Sequence, residues 1–263
     1  MARIFSIMSG KGGVGKSPLS ASLARYFAGR GMRTLLIDGD IGLRCADLML
    51  DVQDRVVFDL GDVKEQLCPT EQALIRPTGT ENLFLLAAPQ MLRPSDIKAK
   101  EISKLIEKLS ADHDIILLDA PAGIGRGLKN LLGAESTPII VATPDDVSLR
   151  DAEKMAMLLQ EKGEMHPLLV LNRVNRQLIK KGEMLPPAQI AMSLDMPLTG
   201  VIEESPAVYR ALLQHKCALE CGDEKVRQAI ENIASRLLGA DTPLPEYKLP
   251  SRRRFLWFGG VKA

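Results

Sequence analysis

Aromatic residues make up only 4% of the 263-residue chain, with a single Trp. A core with so few rings must be aliphatic, and the 46% hydrophobic content allows one of useful size. An excess of charge of one sign is also missing. The 34 Lys and Arg against 33 Asp and Glu leave +1, which removes any whole-molecule attraction to nucleic acid while leaving room for a local patch. Cysteine is sparse: Cys45, Cys68, Cys217 and Cys221 form no C-x-x-C pair and no zinc or iron–sulfur spacing. They are expected to be reduced packing residues. His113, His166 and His215 are dispersed and offer no metal spacing either. No internal repeat is evident. No apolar run approaches the roughly 18 residues of a membrane span. The first residues lack the basic segment, apolar run and cleavage site of a secretion signal. A cytoplasmic protein is expected, with peripheral attachment as its only route to a membrane.

What is present is concentrated near the start. Gly10-Lys11-Gly12-Gly13-Val14-Gly15-Lys16-Ser17 fits the phosphate-loop pattern G-x-x-x-x-G-K-[ST]. Its flanks fit as well. Arg3 to Met8 reads as a buried strand, and Pro18 to Gly29 reads as a helix with Leu19, Leu23 and Phe27 along one side. Glycines let consecutive N–H groups turn inward around phosphate oxygens, and the helix start adds unpaired donors and partial positive charge. Lys16 is expected to neutralise β- and γ-phosphates, and the Ser17 hydroxyl to ligate Mg²⁺.

The remaining chain alternates strands and helices. Strands are expected at Arg33–Ile37, Asn82–Ala87, Asp114–Leu118, Pro138–Ala142, Pro167–Leu171 and Leu198–Ile202. Helices are expected at Val56–Gln66, Thr70–Ile75, Ile97–Leu109 with Ser95 as its cap, Ser148–Glu161, Pro187–Leu194, Pro206–Gln214 and Asp223–Leu238. Ile41–Asp54 reads as a loop. The cluster Arg173, Arg176, Lys180 and Lys181 reads as a solvated loop, with a DNA or lipid contact as the alternative. Apolar strands alternating with helices argue for a single-domain α/β fold, a mostly parallel sheet with helices on both faces. In such sheets, acidic residues at carboxyl ends of strands lie on the ligand edge. Asp38 and Asp40 end the second strand. Asp119 follows Ile115-Ile116-Leu117-Leu118 in the form of a Walker B element. All three are candidates for the surroundings of a metal-bound nucleotide.

Lys11 is an addition that a simple phosphate loop does not require. With it, Lys11 to Ser17 resembles the deviant Walker A signature of the MinD/ParA ATPases, which have the P-loop NTPase fold. The closer resemblance is to the MinD family of division-site ATPases. It extends through Ile37–Arg44, Asp119–Ile124, Thr143-Pro144-Asp145, Leu171-Asn172-Arg173, Lys181–Leu185 and Gly200-Val201-Ile202. The resemblance implies an ATPase that uses ATP and Mg²⁺ and forms a homodimer with ATP bound. Lys11 would reach the partner's phosphates, while Lys16 and Ser17 act in their own subunit. Asp40 would position the attacking water, with Asp38 and Asp119 around the Mg²⁺ shell. Asn172 and Arg173 would contact adenine. Residues around Arg44 and from Ser148 to Glu153 would switch with nucleotide state and face protein regulators of division. Three departures stand out. Pro18 occupies the usual place of a second Thr that contacts the α-phosphate, Glu203 that of a Pro, and Gln214-His215-Lys216 that of Asn-x-Gly.

Residues 1–239 are thus expected to form the ATPase domain and 240–250 a Pro-rich linker. Residues 251–263 form a tail containing Arg252, Arg253, Arg254, Phe255, Leu256, Trp257 and Phe258. Basic groups beside bulky apolar ones suit an anionic membrane surface, here the inner face of the cell membrane. A tail docked on the core or bound to nucleic acid is the alternative. A ParA-type DNA-partition ATPase, a flagellar-placement relative and a non-hydrolysing scaffold remain the competing functions. The apolar tail speaks against nucleic acid, which Lys, Arg and polar groups would recognise.

Overall fold

A computed structural model describes residues 2–41, 43–92, 96, 98–123, 125, 136–161 and 166–247. Eight strands are β1 (Arg3–Met8), β2 (Thr34–Asp38), β3 (Leu74–Ile75), β4 (Leu83–Leu86), β5 (Ile115–Asp119), β6 (Thr137–Ala142), β7 (Leu168–Val174) and β8 (Leu198–Glu203). They form one sheet in the order β3-β4-β2-β5-β1-β6-β7-β8. Every neighbouring pair is parallel except β3 with β4. The apolar strands explain this layering. In β5, Ile115 and Leu117 enter one core while Ile116 and Leu118 enter the other, because successive side chains leave a strand on opposite faces. Helices Lys16–Gly29 and Glu224–Leu237 cover the first face. Helices Ala99–Leu109, Asp146–Glu161, Arg176–Lys181 and Pro187–Ser193 cover the second. This is the P-loop NTPase arrangement expected from the sequence. The chain leaves β1 towards β2 on one side and returns later to β6 on the other, so the loop after β1 lies at the switch point where such sheets bind ligands.

Several local expectations are corrected. The helix expected over Val56–Gln66 is only Leu60–Lys64, preceded by a 3₁₀ turn at Gln53–Arg55. Asp59 sets its start by accepting from the Gly61 and Asp62 N–H groups at 2.7 and 3.3 Å. The Thr70–Ile75 helix stops at Ala73, and Leu74–Ile75 pairs antiparallel with β4 instead. The 41–54 loop carries a short helix, Ala46–Met49. The basic cluster at Arg176–Lys181 is helical, because Asn175 Oδ1 accepts from the N–H groups of Gln177 and Leu178. Ser95, the expected cap of the Ala99–Leu109 helix, lies outside the described residues, as does the tail from Arg252 to Phe258. Among the described residues no helix is long and apolar enough to cross a membrane.

Candidate nucleotide site

The site begins with two glycines that no other residue could replace without movement. Gly15 has φ 97°, a left-handed backbone that side chains resist, and a Cβ there would lie 2.2 Å from Asn172 Nδ2. Gly10 lies directly against the helix Asp146–Glu161, where a Cβ would come within 2.5 Å of Asp151 Cβ and 2.7 Å of the Asp151 carbonyl oxygen. Between them the loop carries Lys11, Gly12, Gly13 and Val14.

Lys16 opens the following helix and is buried. Its Nζ donates to Asp119 Oδ1 at 2.9 Å and lies 3.1 Å from Ser17 Oγ. Ser20, one turn along, donates to the same Asp119 oxygen at 2.8 Å. Asp119 Oδ2 is buried with no hydrogen-bond partner among the described residues, and so is Ser9 Oγ at the entrance of the loop. Leaving such atoms unpaired costs about 1–3 kcal/mol each. A buried ammonium, a hydroxyl and an unsatisfied carboxylate oxygen at a helix N-terminus fit a magnesium-bound polyphosphate. Magnesium keeps most of its water and takes one or two protein groups. It therefore does not need the all-protein cage of three or more acidic, His or Cys ligands, which is absent among the described residues.

Asp38 and Asp119 are register partners on β2 and β5. Asp38 is fully buried and uses its carboxylate on the backbone. Oδ1 accepts from the Asp40 N–H at 2.9 Å, and Oδ2 accepts from Cys45 and Ala46 at 3.1 and 3.0 Å. It thereby clamps the loop that carries Asp40. Burial and the neighbouring Asp119 push its carboxyl up to about 7, against the pull of those N–H groups and Lys16. Asp40 is half-buried, and burial raises its pKa, opposed by the Lys16 charge. Its position lets it reach solvent, as a group handling water must.

Lys11, which a simple phosphate loop does not require, has a contact within its own subunit. Its Nζ is 3.6 Å from Asp145 Oδ1, with both side chains about half exposed. Asp145 also accepts from the Thr143 hydroxyl and from the Ser148 N–H. Burial raises its pKa, but these hydrogen bonds and Lys11 together hold it below the ordinary value.

The other side of the site is a cavity of about 590 Å³. It is lined by Gly15, Pro18 and Leu19 at the start of the loop helix, Asn172 and Arg173 from β7, Glu203 at the end of β8, and Glu204 and Tyr209 beyond it. Pairing between β7 and β8 is irregular between Leu171 and Val174, where Arg173 takes φ 57°, turning this stretch out of the regular ladder. Asn172 Nδ2 donates to the Val14 carbonyl at 2.8 Å, tying this wall to the glycine loop. The structure thus brings the loop, Asp38, Asp40, Asp119, Asn172 and Arg173 to one edge. Pro18, third in its helix, presents neither a hydroxyl nor an N–H there. Ser20 and Asp145 were not singled out as site residues from sequence. The i+4 spacing of Ser20 from Lys16 was the available signal for the first.

A family model for ParA, described as NUBPL iron-transfer P-loop NTPase, matches residues 1–238. The septum site-determining protein MinD of Helicobacter pylori is 35% identical over 255 residues, covering 94% of this chain and 95% of that protein. The MinC:MinD cell division protein complex of Aquifex aeolicus superposes with TM-score 0.85 at 34% identity, covering 94% of this chain and all of that one. The chain belongs to the MinD family of ParA-type P-loop ATPases. MinD of Pyrococcus horikoshii, solved with Mg-ADP, has TM-score 0.79 at 29% identity over 92% of this chain and all of its own. A ParA-family ATPase of Chlorobium tepidum, at 23% identity and TM-score 0.75, shares the fold. Here the four cysteines are free, and burial beside Glu220 pushes the Cys217 thiol up to about 12, away from the thiolate that binds metals.

Proposed function

We propose that this MinD-type division-site ATPase works as a location switch, in which nucleotide state decides between a free single chain and a membrane-held pair. The ATPase activity and the use of Mg²⁺ with adenine nucleotide follow from its family. The site roles are our reading. Lys16 and the N–H groups of Gly12 to Ser17 hold the phosphates, Ser17 and Asp119 face the metal, and Asp38 fixes the loop from which Asp40 orients water. Asn172 and Arg173 border the base. Bound Mg²⁺ would neutralise phosphate charge.

One observation carries the switch: Lys11 rests on Asp145 through a half-exposed contact of 3.6 Å. Such surface pairs contribute about 0–1 kcal/mol, so Lys11 exchanges this carboxylate for a partner's phosphate at little cost. Two paired chains then offer two tails, Arg252 to Phe258, to an anionic membrane. One tail alone binds weakly, and the second insertion is intramolecular. Residues 1–239 form the ATPase domain, 240–250 the connection and 251–263 the membrane-targeting tail at the inner face of the cell membrane. A division regulator is the expected protein partner, by analogy with the Aquifex MinC:MinD complex.

Liposome sedimentation tests the reading. The intact protein should pellet with anionic vesicles in ATP and not in ADP. Trp257→Glu and a chain ending at Pro250 should stay in solution. Equal pelleting of all three in ATP overturns the anchor. ATP-dependent DNA binding that survives truncation would instead favour a partition ATPase.

A further inference from the structure

The segment read as a linker is fastened to the body at two points. Arg236, near the end of the helix Glu224–Leu237, donates to the carbonyls of Thr242 and Pro243 at 2.8 and 2.6 Å, and to that of Thr199 at 2.9 Å. Thr199 lies at the start of the edge strand β8. The second point is Tyr247. Its hydroxyl donates to Glu203 Oε1 at 3.1 Å, and the Arg176 guanidinium stacks 4.6 Å from its ring centre. Arg176 Nε and Nη2 are 2.8 and 2.7 Å from that same Glu203 oxygen. Glu203 ends β8. The strap therefore runs beside β8 from the sheet's amino edge to its carboxyl edge, closing a cleft of about 430 Å³ over Leu244 and Pro245.

We infer that Tyr247 is a positioning residue for the tail, resting on the membrane-anchor reading above. It fixes the chain's exit at the carboxyl edge, the edge that carries the nucleotide loop and Lys11. From Tyr247 only Lys248 to Ser251 separate the latch from Arg252. Without the latch the last fastened residue is Pro243, at the opposite edge, and Leu244 to Ser251 become the tether. A membrane accepts insertion anywhere on its surface, so the second tail of a pair gains from a short tether. Effective concentration falls roughly as the −3/2 power of tether length, so doubling the length weakens bivalent attachment about threefold.

The test uses the full chain with ATP and anionic vesicles. Tyr247→Ala should lower vesicle affinity about threefold, leaving ATPase turnover without vesicles and ATP-driven pairing as in the parent. Tyr247→Phe, which keeps the stack on Arg176, should fall between. Inserting about eight Gly/Ser residues after Tyr247 should weaken binding at least as much while the latch stays closed. In a Lys11→Ala background, expected to remain single, Tyr247→Ala should change vesicle binding little. Full affinity in both Tyr247→Ala and the insertion variant, with binding lost on truncation at Pro250, overturns the latch and leaves the anchor standing. Full affinity after truncation removes both.

Discussion

The two sides of the nucleotide site are built in different ways. On the phosphate side Lys16, Ser17, Ser20 and Asp119 are all buried, and three of the four come from one contiguous stretch: Lys16 and Ser20 both donate to Asp119, and Ser17 lies against Lys16. On the base side the participants are half-exposed and come from distant parts of the chain. Asn172 and Arg173 leave an irregular β7, and Glu203 comes from the end of β8. A polyphosphate presents dense charge that only preorganised, desolvated groups hold well. A purine presents a flat apolar face that a cavity can accept with few specified contacts. The phosphate side should therefore carry most of the affinity and the chemistry, and the base side should tolerate change.

The largest effect expected is at Lys16. Lys16→Ala should weaken Mg·ATP binding by at least about 100-fold, since each charge-assisted bond is worth about 1.5–3 kcal/mol. Arg173→Ala should cost less than about tenfold, both read by calorimetric titration. Equal losses would break the contrast. Asp40→Ala should keep ATP binding and pairing while turnover falls about 100-fold, because a water-orienting group acts on the transition state. Unchanged turnover would reduce Asp40 to a turn residue. Pro18→Thr sharpens the boundary between the sides. It restores an N–H and a hydroxyl, and should tighten nucleotide binding about fivefold, near 1 kcal/mol for one net hydrogen bond. A loss of affinity would show the cavity shaped around proline.

The smallest effect lies outside both regions and separates stability from binding. His113 is buried at the amino edge, with Nδ1 2.8 Å from the Leu109 carbonyl and Nε2 without a partner among the described residues. Burial lowers its pKa, against the raising effect of the Leu109 carbonyl. The neutral ring is favoured in the fold, so its contribution is present above the ordinary value of about 6.5 and lost as pH falls below it, when the unfolded chain takes up the proton. Denaturant midpoints should decline below that pH, and His113→Phe should flatten the decline. Identical slopes would acquit His113.

The layered sheet and the phosphate side were legible because both are written locally. Apolar strands such as Ile115–Leu118 announce burial on both faces, and a loop motif carries its own donors. The Leu74–Ile75 strand was not legible. Two apolar residues after a helical turn have no period of their own, and only β4 beside them decides their pairing. Asp38 read as one more acidic residue at a strand end. That it spends itself on three backbone N–H groups depends on how the chain from Asp40 to Ala46 folds back. The Arg176–Glu203–Tyr247 cluster was invisible for a similar reason. Its members are separated by dozens of residues, and the Pro-rich stretch before Tyr247 reads as a plain linker.

The contact of Gly10 with Asp151 has a mechanical consequence. Most neighbouring elements in a protein touch through side chains, which bend and take up small displacements. Here a Cβ added to Gly10 would already collide with the Cβ, carbonyl carbon and carbonyl oxygen of Asp151, so no side chain fits between loop and helix. A side chain added at position 10 would have to displace the helix Asp146–Glu161 or the nucleotide loop, so glycine there keeps the two seated together. The same helix leaves Val147 and Met157 exposed, so one rigid element joins an apolar outer surface to the loop that faces the phosphates.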